Sequence, residues 1–127
     1  MKSIAAVAIG FSLVLATPAF ANTGEMSVAT FLSKADALRA KGPAALFSGD
    51  MKVLKSEGEA AGAAYRSRLT AERAAGKPSS CPPTGGKARM SSDQLLTHLR
   101  AYPAPARGAT TMKAAMADYF IKTYPCR

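Results

Sequence analysis

Apolar residues recur every three or four positions along four stretches of this chain, and no stretch alternates with a period of two for more than a few residues. The first spacing places apolar side chains on one face of a helix, whereas a half-buried strand needs the second. The pattern therefore predicts an all-α fold, a small four-helix domain. The predicted helices run from Ser27 to Lys41, from Asp50 to Ala75, from Ser91 to just before Pro103, and from beyond Thr110 to near Thr123.

Start and stop signals support these bounds. Ser27 is suited to cap the first helix through its hydroxyl, and Gly42 can adopt the left-handed conformation that ends it. A short helical turn is expected over 44–47. Ser91 and Gln94 have the spacing of a capping box at the start of the third helix.

The second helix contains two glycines, Gly58 and Gly62, amid a run of alanines. A glycine in an exposed helix interior costs roughly 1 kcal/mol relative to alanine. We expect this face to be packed closely by another helix, with a functional groove as the alternative. The inward residues predicted for this helix are Val53, Leu54, Ala61, Ala64, Tyr65 and Leu69.

The first 21 residues have the form of a cleavable export signal. Lys2 precedes an apolar stretch from Ile4 to Ala16, and Ala19-Phe20-Ala21 supplies the small residues of a cleavage site. The alternative is a membrane anchor, but the apolar stretch is well short of the roughly 20 residues that span a bilayer. We therefore expect residues 1–21 to be removed and residues 22–127 to form the folded domain, located in the periplasm of a Gram-negative source.

The mature chain would carry 16 basic and 8 acidic residues, a formal charge of +8. No segment after Asn22 is apolar and long enough to cross a membrane, so no integral membrane segment is expected after processing. Export also makes nucleic acid an unsuitable partner. The charge instead favours an acidic protein surface, anionic lipid or anionic polymer.

Cys81 and Cys126 are the two cysteines of the chain. In an exported protein they are most simply one disulfide. A metal pair and a redox pair are the alternatives, but His98 is the only imidazole, and redox cysteines normally lie close together in sequence. The bond would tie the loop 76–91, which is rich in proline, glycine and basic residues, to the end of the fourth helix.

No catalytic set is evident in the sequence. His98 lies on the third helix without a nucleophile motif nearby, and Glu57 and Glu59 project from different faces of the second helix. No nucleotide or zinc motif is present. We expect neither enzymatic activity nor a cofactor or metal.

The C-terminal half resembles a known family. Ser80-Cys81-Pro82, the capped helix that begins at Ser91 and leads to Pro103, and the run from Ala114 to Tyr124-Pro125-Cys126 resemble the Tai family of periplasmic immunity proteins. These small helical proteins neutralise peptidoglycan amidases delivered by type VI secretion. The resemblance covers about 60–126 and implies the fold and compartment, and a Cys-Pro loop bonded to a terminal aromatic-Pro-Cys. It assigns no binding residue.

Two functions follow as hypotheses. The first is an exported immunity protein that inhibits a cell-wall amidase, and the alternative is a small periplasmic stress or chaperone-like module that binds through helix faces. Residues 102–110, which contain Pro103, Pro105 and Gly108, are predicted to form a second rigid loop. For an inhibitor, the loops 77–89 and 102–107 are the expected recognition elements, since Tyr and Arg are frequent interface anchors. The sequence leaves the oligomeric state open, and a homodimer is among the assemblies it allows. The candidate partner-binding residues are Lys77, Lys87, Arg89, Tyr102 and Arg107.

Overall fold

A computed structural model describes residues 24–85 and 89–127 of the chain. Within these ranges the fold is all-α, as predicted, with four helices of nine residues or more and one of a single turn. The predicted signal peptide, residues 1–21, lies outside the described residues. The helices are α1 (Val28–Lys41), α2 (Gly49–Ala74), α3 (Ser92–Arg100), α4 (Ala104–Arg107) and α5 (Met112–Thr123), with a 3-10 turn, Gly42–Phe47, between α1 and α2.

The local signals bound the helices as predicted. The Ser27 hydroxyl accepts a hydrogen bond from the Thr30 amide, and Gly42 ends α1 with a φ of 61°. The capping box between Ser91 and Gln94 is present at the start of α3. These ends could be predicted because each depends on side chains within three or four residues of the helix terminus.

Two details of the predicted helices are wrong. Val53 is exposed and Ala64 is only half-buried, because the buried face of α2 passes through Leu54, Ala61 and Tyr65. The segment 102–110 was predicted to be a loop, yet it contains α4. Prolines fit the first turn of a helix, where their missing amide hydrogen has no partner to lose.

The core is formed mainly where α2 packs against α5, while α1 contacts all the other helices. The rings of Tyr65 on α2 and Phe120 on α5 stack with their centroids 5.1 Å apart. Val28, Leu99 and Met112 are completely buried. Together α1, α2 and α5 form a frame to which α3 and the 3-10 turn attach at one edge.

Residues 24–27 run antiparallel to residues 110–113. The Lys113 amide donates to the Gly24 carbonyl at 3.1 Å, and the Val28 amide donates to the Thr110 carbonyl at 2.8 Å. Buried Glu57 on α2 closes the same junction, because its carboxylate accepts the Gly24 amide at 2.7 Å. The start of the described chain is therefore held by α2 and α5.

Across the described ranges, none of the helices combines the length and the apolar character that a bilayer-spanning segment requires.

Candidate binding surface

The disulfide holds the Cys81 loop at the end of α5. Cys81 and Cys126 are bonded, as predicted, with their Cα atoms 4.9 Å apart. The Cys81 amide also donates to the Tyr124 carbonyl at 2.7 Å. The loop is thus fixed covalently and by a backbone hydrogen bond.

The same loop is anchored to α2 by hydroxyl and carboxylate groups. The Tyr65 hydroxyl on α2 bonds the hydroxyls of Ser79 and buried Ser80. The Ser79 amide donates to the Glu72 carboxylate at 2.8 Å, and Arg68 donates to the same carboxylate. Hydrogen bonds from Ser79 first, and then from Arg68, lower the pKa of Glu72 from 4.5 to about 2. These contacts make the first half of the loop a fixed part of the surface.

Of the predicted loop residues, Lys77 and Arg89 are exposed. Lys77 follows the left-handed Gly76 that ends α2, and Arg89 lines a small cavity together with Pro82 and Pro83. Lys87 lies outside the described residues.

Tyr102 and Arg107 make contacts within the fold. The Tyr102 hydroxyl donates to the Asp118 carboxylate on α5, and burial, followed by this hydrogen bond, raises the tyrosine pKa. The Arg107 guanidinium donates to the carbonyls of Tyr102 at 2.9 Å and of Arg100 at 2.7 Å. Arg107 therefore caps carbonyls at the end of α3, an internal role that the sequence did not predict.

The two predicted loops meet opposite sides of α5. Arg89 shares its cavity with Phe120, whereas Tyr102 bonds Asp118. Side chains two positions apart on a helix point in nearly opposite directions, because each residue turns the helix by about 100°. The structure therefore does not bring Tyr102 and Arg107 onto the surface that carries Arg89.

An apolar groove of about 820 Å³ lies between α1, the 3-10 turn, α2 and α3, and it reaches Met116 and Phe120 of α5. Half-buried Leu95 and Leu96 of α3 form one wall and Phe31 of α1 forms another. Sequence reasoning missed this groove because its walls come from five elements that are distant in the chain.

Gly58 and Gly62 line this groove, which corrects the expected close packing of a second helix. A Cβ atom at Gly58 would meet nothing within 4 Å, and one at Gly62 would meet only the Arg66 guanidinium, at 3.4 Å. The two glycines do indicate an unusual surface, but the space above Gly58 is open and the Arg66 side chain lies above Gly62. The structure places a groove over these residues, and whether it is functional stays a hypothesis.

Leu46 and Phe47 project beside the groove, with 73% and 93% of their surfaces exposed. The 3-10 turn that carries them is bounded by Gly42 and by Ser48, whose amide donates to the Ala45 carbonyl at 3.0 Å. Two large apolar side chains on a hydrogen-bonded turn form a projecting apolar surface, of the kind that marks interaction sites. We call Leu46 and Phe47 the apolar knob.

His98 is a structural side chain. Its Nε2 atom donates to the Ala115 carbonyl at 2.8 Å, and its ring meets the rings of Tyr102 and Tyr119 edge to face. Residues 24–85 and 89–127 hold no cluster of three His, Cys, Asp or Glu side chains that could bind a metal ion.

Comparison with protein-family models, with curated proteins and with solved structures found no match to this chain.

Proposed function

We propose that this chain is an exported immunity protein that binds and neutralises a cell-wall amidase in the periplasm, without catalytic activity of its own. The observation that carries the proposal is the apolar knob, Leu46 and Phe47, on a turn fixed at both ends. A turn whose backbone is already hydrogen-bonded before binding loses less conformational freedom when its aromatic side chain enters a pocket. A substrate groove of a hydrolase offers such a pocket.

The charge distribution supports an acidic partner. In the described residues four carboxylates pair with a Lys or Arg side chain, and Glu57 and Asp118 bond uncharged groups, so the basic residues remain in excess; the four are Glu25, Asp36, Asp50 and Glu72. Exposed Lys77 adds to this excess. Uncompensated charge accelerates encounter with a partner of opposite sign.

The resemblance to the Tai family supports the same function. The Cys81-Pro82 loop and the terminal Tyr124-Pro125-Cys126, which carry the resemblance, are joined by the disulfide. This bond and the helical fold suit a protein that must persist in an oxidising compartment.

The test is survival in contact with sister cells. A strain of the source bacterium that lacks this gene should lyse beside type VI-competent sister cells, and the wild-type gene should restore survival. Phe47→Ala, alone or with Leu46→Ala, should restore survival poorly, because removing an aromatic anchor commonly weakens binding by tenfold or more. Val53→Ala is the matched control, because Val53 is an exposed apolar residue that lies on α2 and outside the apolar knob. This variant should restore survival fully. Equal survival of the deletion strain and its parent would refute the proposal.

Charge reversal tests the predicted loop separately. Lys77→Glu with Lys87→Glu should weaken rescue while leaving the helical circular dichroism unchanged, because exposed charges add little to folding. Unaltered rescue would remove the loop from the interface. Tyr102 and Arg107 are less suitable for this test, since their side chains bond within the fold.

The groove favours a second candidate, a periplasmic stress or chaperone-like module that binds apolar segments through helix faces. Its walls are helix faces, as that function requires. The mature protein should then suppress the aggregation of an unfolding client protein in a light-scattering assay. The inhibitor proposal expects no such suppression.

A further inference from the structure

A second, basic cavity adjoins the apolar groove. This cavity has a volume of about 540 Å³ and meets the groove at Arg66 and Phe120, which line both. Its walls include Tyr65, Leu69 and the arginines Arg73 and Arg89. The two spaces are therefore neighbours on either side of Arg66 and Phe120, and three arginines line the smaller one.

The shape of the groove follows α2. The residues of α2 that line it extend from Met51 to Arg66, which spans about 22 Å along the helix axis. Gly58 and Gly62 leave its floor without side chains. An apolar groove of this length can accommodate an extended hydrocarbon chain.

The position of Arg66 links the two ends. Side chains on a helix lean toward its N-terminus, and the Arg66 guanidinium accordingly lies over Gly62, one turn earlier. A Cβ atom at position 62 would lie 3.4 Å from this guanidinium, so a side chain larger than a methyl group would compete for its space. Gly62 thus allows the cation to lie at the junction of groove and cavity.

The cations at this junction are available for a ligand. Neither Arg66 nor Arg73 pairs with a carboxylate anywhere in the described residues. Arg39 and Lys55 also line the groove, and Glu59 is the one acidic residue on its rim. Guanidinium groups bind carboxylate and phosphate oxygens through paired hydrogen bonds.

We infer that this site binds a long-chain anionic amphiphile, with the acyl chain in the apolar groove and the carboxylate or phosphate headgroup at Arg66 and Arg73. Charge complementarity at one end and an apolar channel at the other select this class of ligand. The inference does not depend on the proposed function, because the ligand is a small molecule and its binding requires no partner protein.

The test uses the mature protein with its disulfide intact and the fluorescent probe 11-(dansylamino)undecanoic acid. We expect saturable binding with a rise in dansyl emission, and displacement by oleate and by oleoyl lysophosphatidic acid. Oleyl alcohol, which has the same chain without the charge, should displace the probe at least tenfold less well. The tighter of the two anions identifies the headgroup as carboxylate or phosphate.

Two variants locate the ligand. Arg66→Glu with Arg73→Glu should weaken probe binding at least tenfold, and Lys52→Glu, an exposed charge on α2 outside both cavities, should not. Gly58→Leu should fill the groove and abolish binding while the helix is retained, because a Cβ atom there meets no other atom within 4 Å. Gly49→Leu, the same change at an exposed position of α2, is the matched control.

Several results would overturn the inference. These are absence of saturable binding, equal displacement by oleate and oleyl alcohol, or wild-type affinity in the Arg66/Arg73 or folded Gly58→Leu variant. A mature dimer that becomes monomeric on Gly58→Leu, and that binds no probe, would assign the groove to a second copy of the chain instead.

Discussion

Glu57 is a buried carboxylate whose bonding partners lie at the start of the described chain. Its Oε2 atom accepts the Gly24 amide at 2.7 Å and the Met26 amide at 3.4 Å. Both donors belong to the segment that runs beside residues 110–113. Glu57 therefore joins three parts of the chain that are distant in sequence.

Glu57→Ala should lower the free energy of unfolding by about 2 kcal/mol, because it leaves a buried amide without an acceptor. Urea denaturation of the mature protein measures the loss. Glu59→Ala removes an exposed carboxylate two positions along the same helix and should change stability by less than about 0.5 kcal/mol. Equal effects of the two substitutions would contradict a structural role for Glu57.

Glu72 gives the fold a defined acid sensitivity. Its folded-state pKa, about 2, lies below its ordinary value of 4.5. A depressed carboxyl pKa stabilises the folded state above the unfolded-state value, and this contribution is lost as the pH falls from 4.5 through 2. Wild-type protein should lose more stability than Glu72→Gln in that window.

The carboxyl carbon resonance of Glu72, followed by NMR against pH, checks the cause. Ser79→Ala and Arg68→Gln should each raise the pKa of Glu72, since the Ser79 hydroxyl and then the Arg68 side chain are the first causes of its depression, and the Ser79 amide remains in both variants. A Glu72 carboxyl that titrates near 4.5 in the wild-type protein would show that these bonds do not persist in solution.

At the scale of elements, the loop between α2 and α3 is held by three neighbours: Tyr65 and Glu72 of α2, and Cys126 beyond α5. The helices on either side could form without it, because their caps are local. The disulfide instead connects the loop to the end of α5 across 45 residues. Its contribution to stability is therefore long-range.

Cys81→Ser should destabilise the oxidised protein as much as the double change Cys81→Ser, Cys126→Ser. Each variant opens the same loop of 45 residues, for which the chain-entropy model gives at most about 4 kcal/mol. Thermal unfolding with and without dithiothreitol provides the comparison, since reduced wild-type protein should match both variants. Free thiols in the native protein, or losses that differ between the variants, would count against this account.

Helix bounds could be predicted from sequence, whereas the candidate site could not. Ser27, Gly42 and the Ser91 capping box act within one turn of the helices they bound. The groove depends on how α1 and α3 lie across α2, which no short pattern determines. Gly58 illustrates the difference: the residue type indicated an unusual surface, but only the packing shows that the space above it is open.

The roles of single side chains in the predicted loops could not be predicted from the sequence either. Tyr102 and Arg107 have the chemistry of interface anchors, yet they bond Asp118 and the carbonyls at the end of α3. Each of these contacts depends on the direction the chain takes after Arg100. Composition identifies side chains that are able to bind a partner, but it does not show which of them already form hydrogen bonds within the fold.

At the scale of the whole molecule, the predicted export signal decides which residues are expected to remain in the folded protein. The cleavage motif Ala19-Phe20-Ala21 predicts a mature chain that starts at Asn22. Intact-mass measurement of protein from the osmotic-shock fraction should give the mass of residues 22–127. Recovery of the uncleaved chain from the membrane fraction would contradict this prediction, and Ala21→Pro, which should block cleavage, provides a size marker for the precursor.

The antiparallel pairing of residues 24–27 with residues 110–113 also dictates the order of events during biogenesis. A polypeptide that crosses a membrane from its N-terminus delivers Gly24 long before Lys113 and Cys126. The two paired segments, 24–27 and 110–113, cannot meet, and the disulfide cannot form, until α5 has been delivered. If the chain is exported as its N-terminal sequence predicts, its folding is therefore completed only after translocation, and until then the emerging chain depends on its surroundings for protection against aggregation and proteolysis.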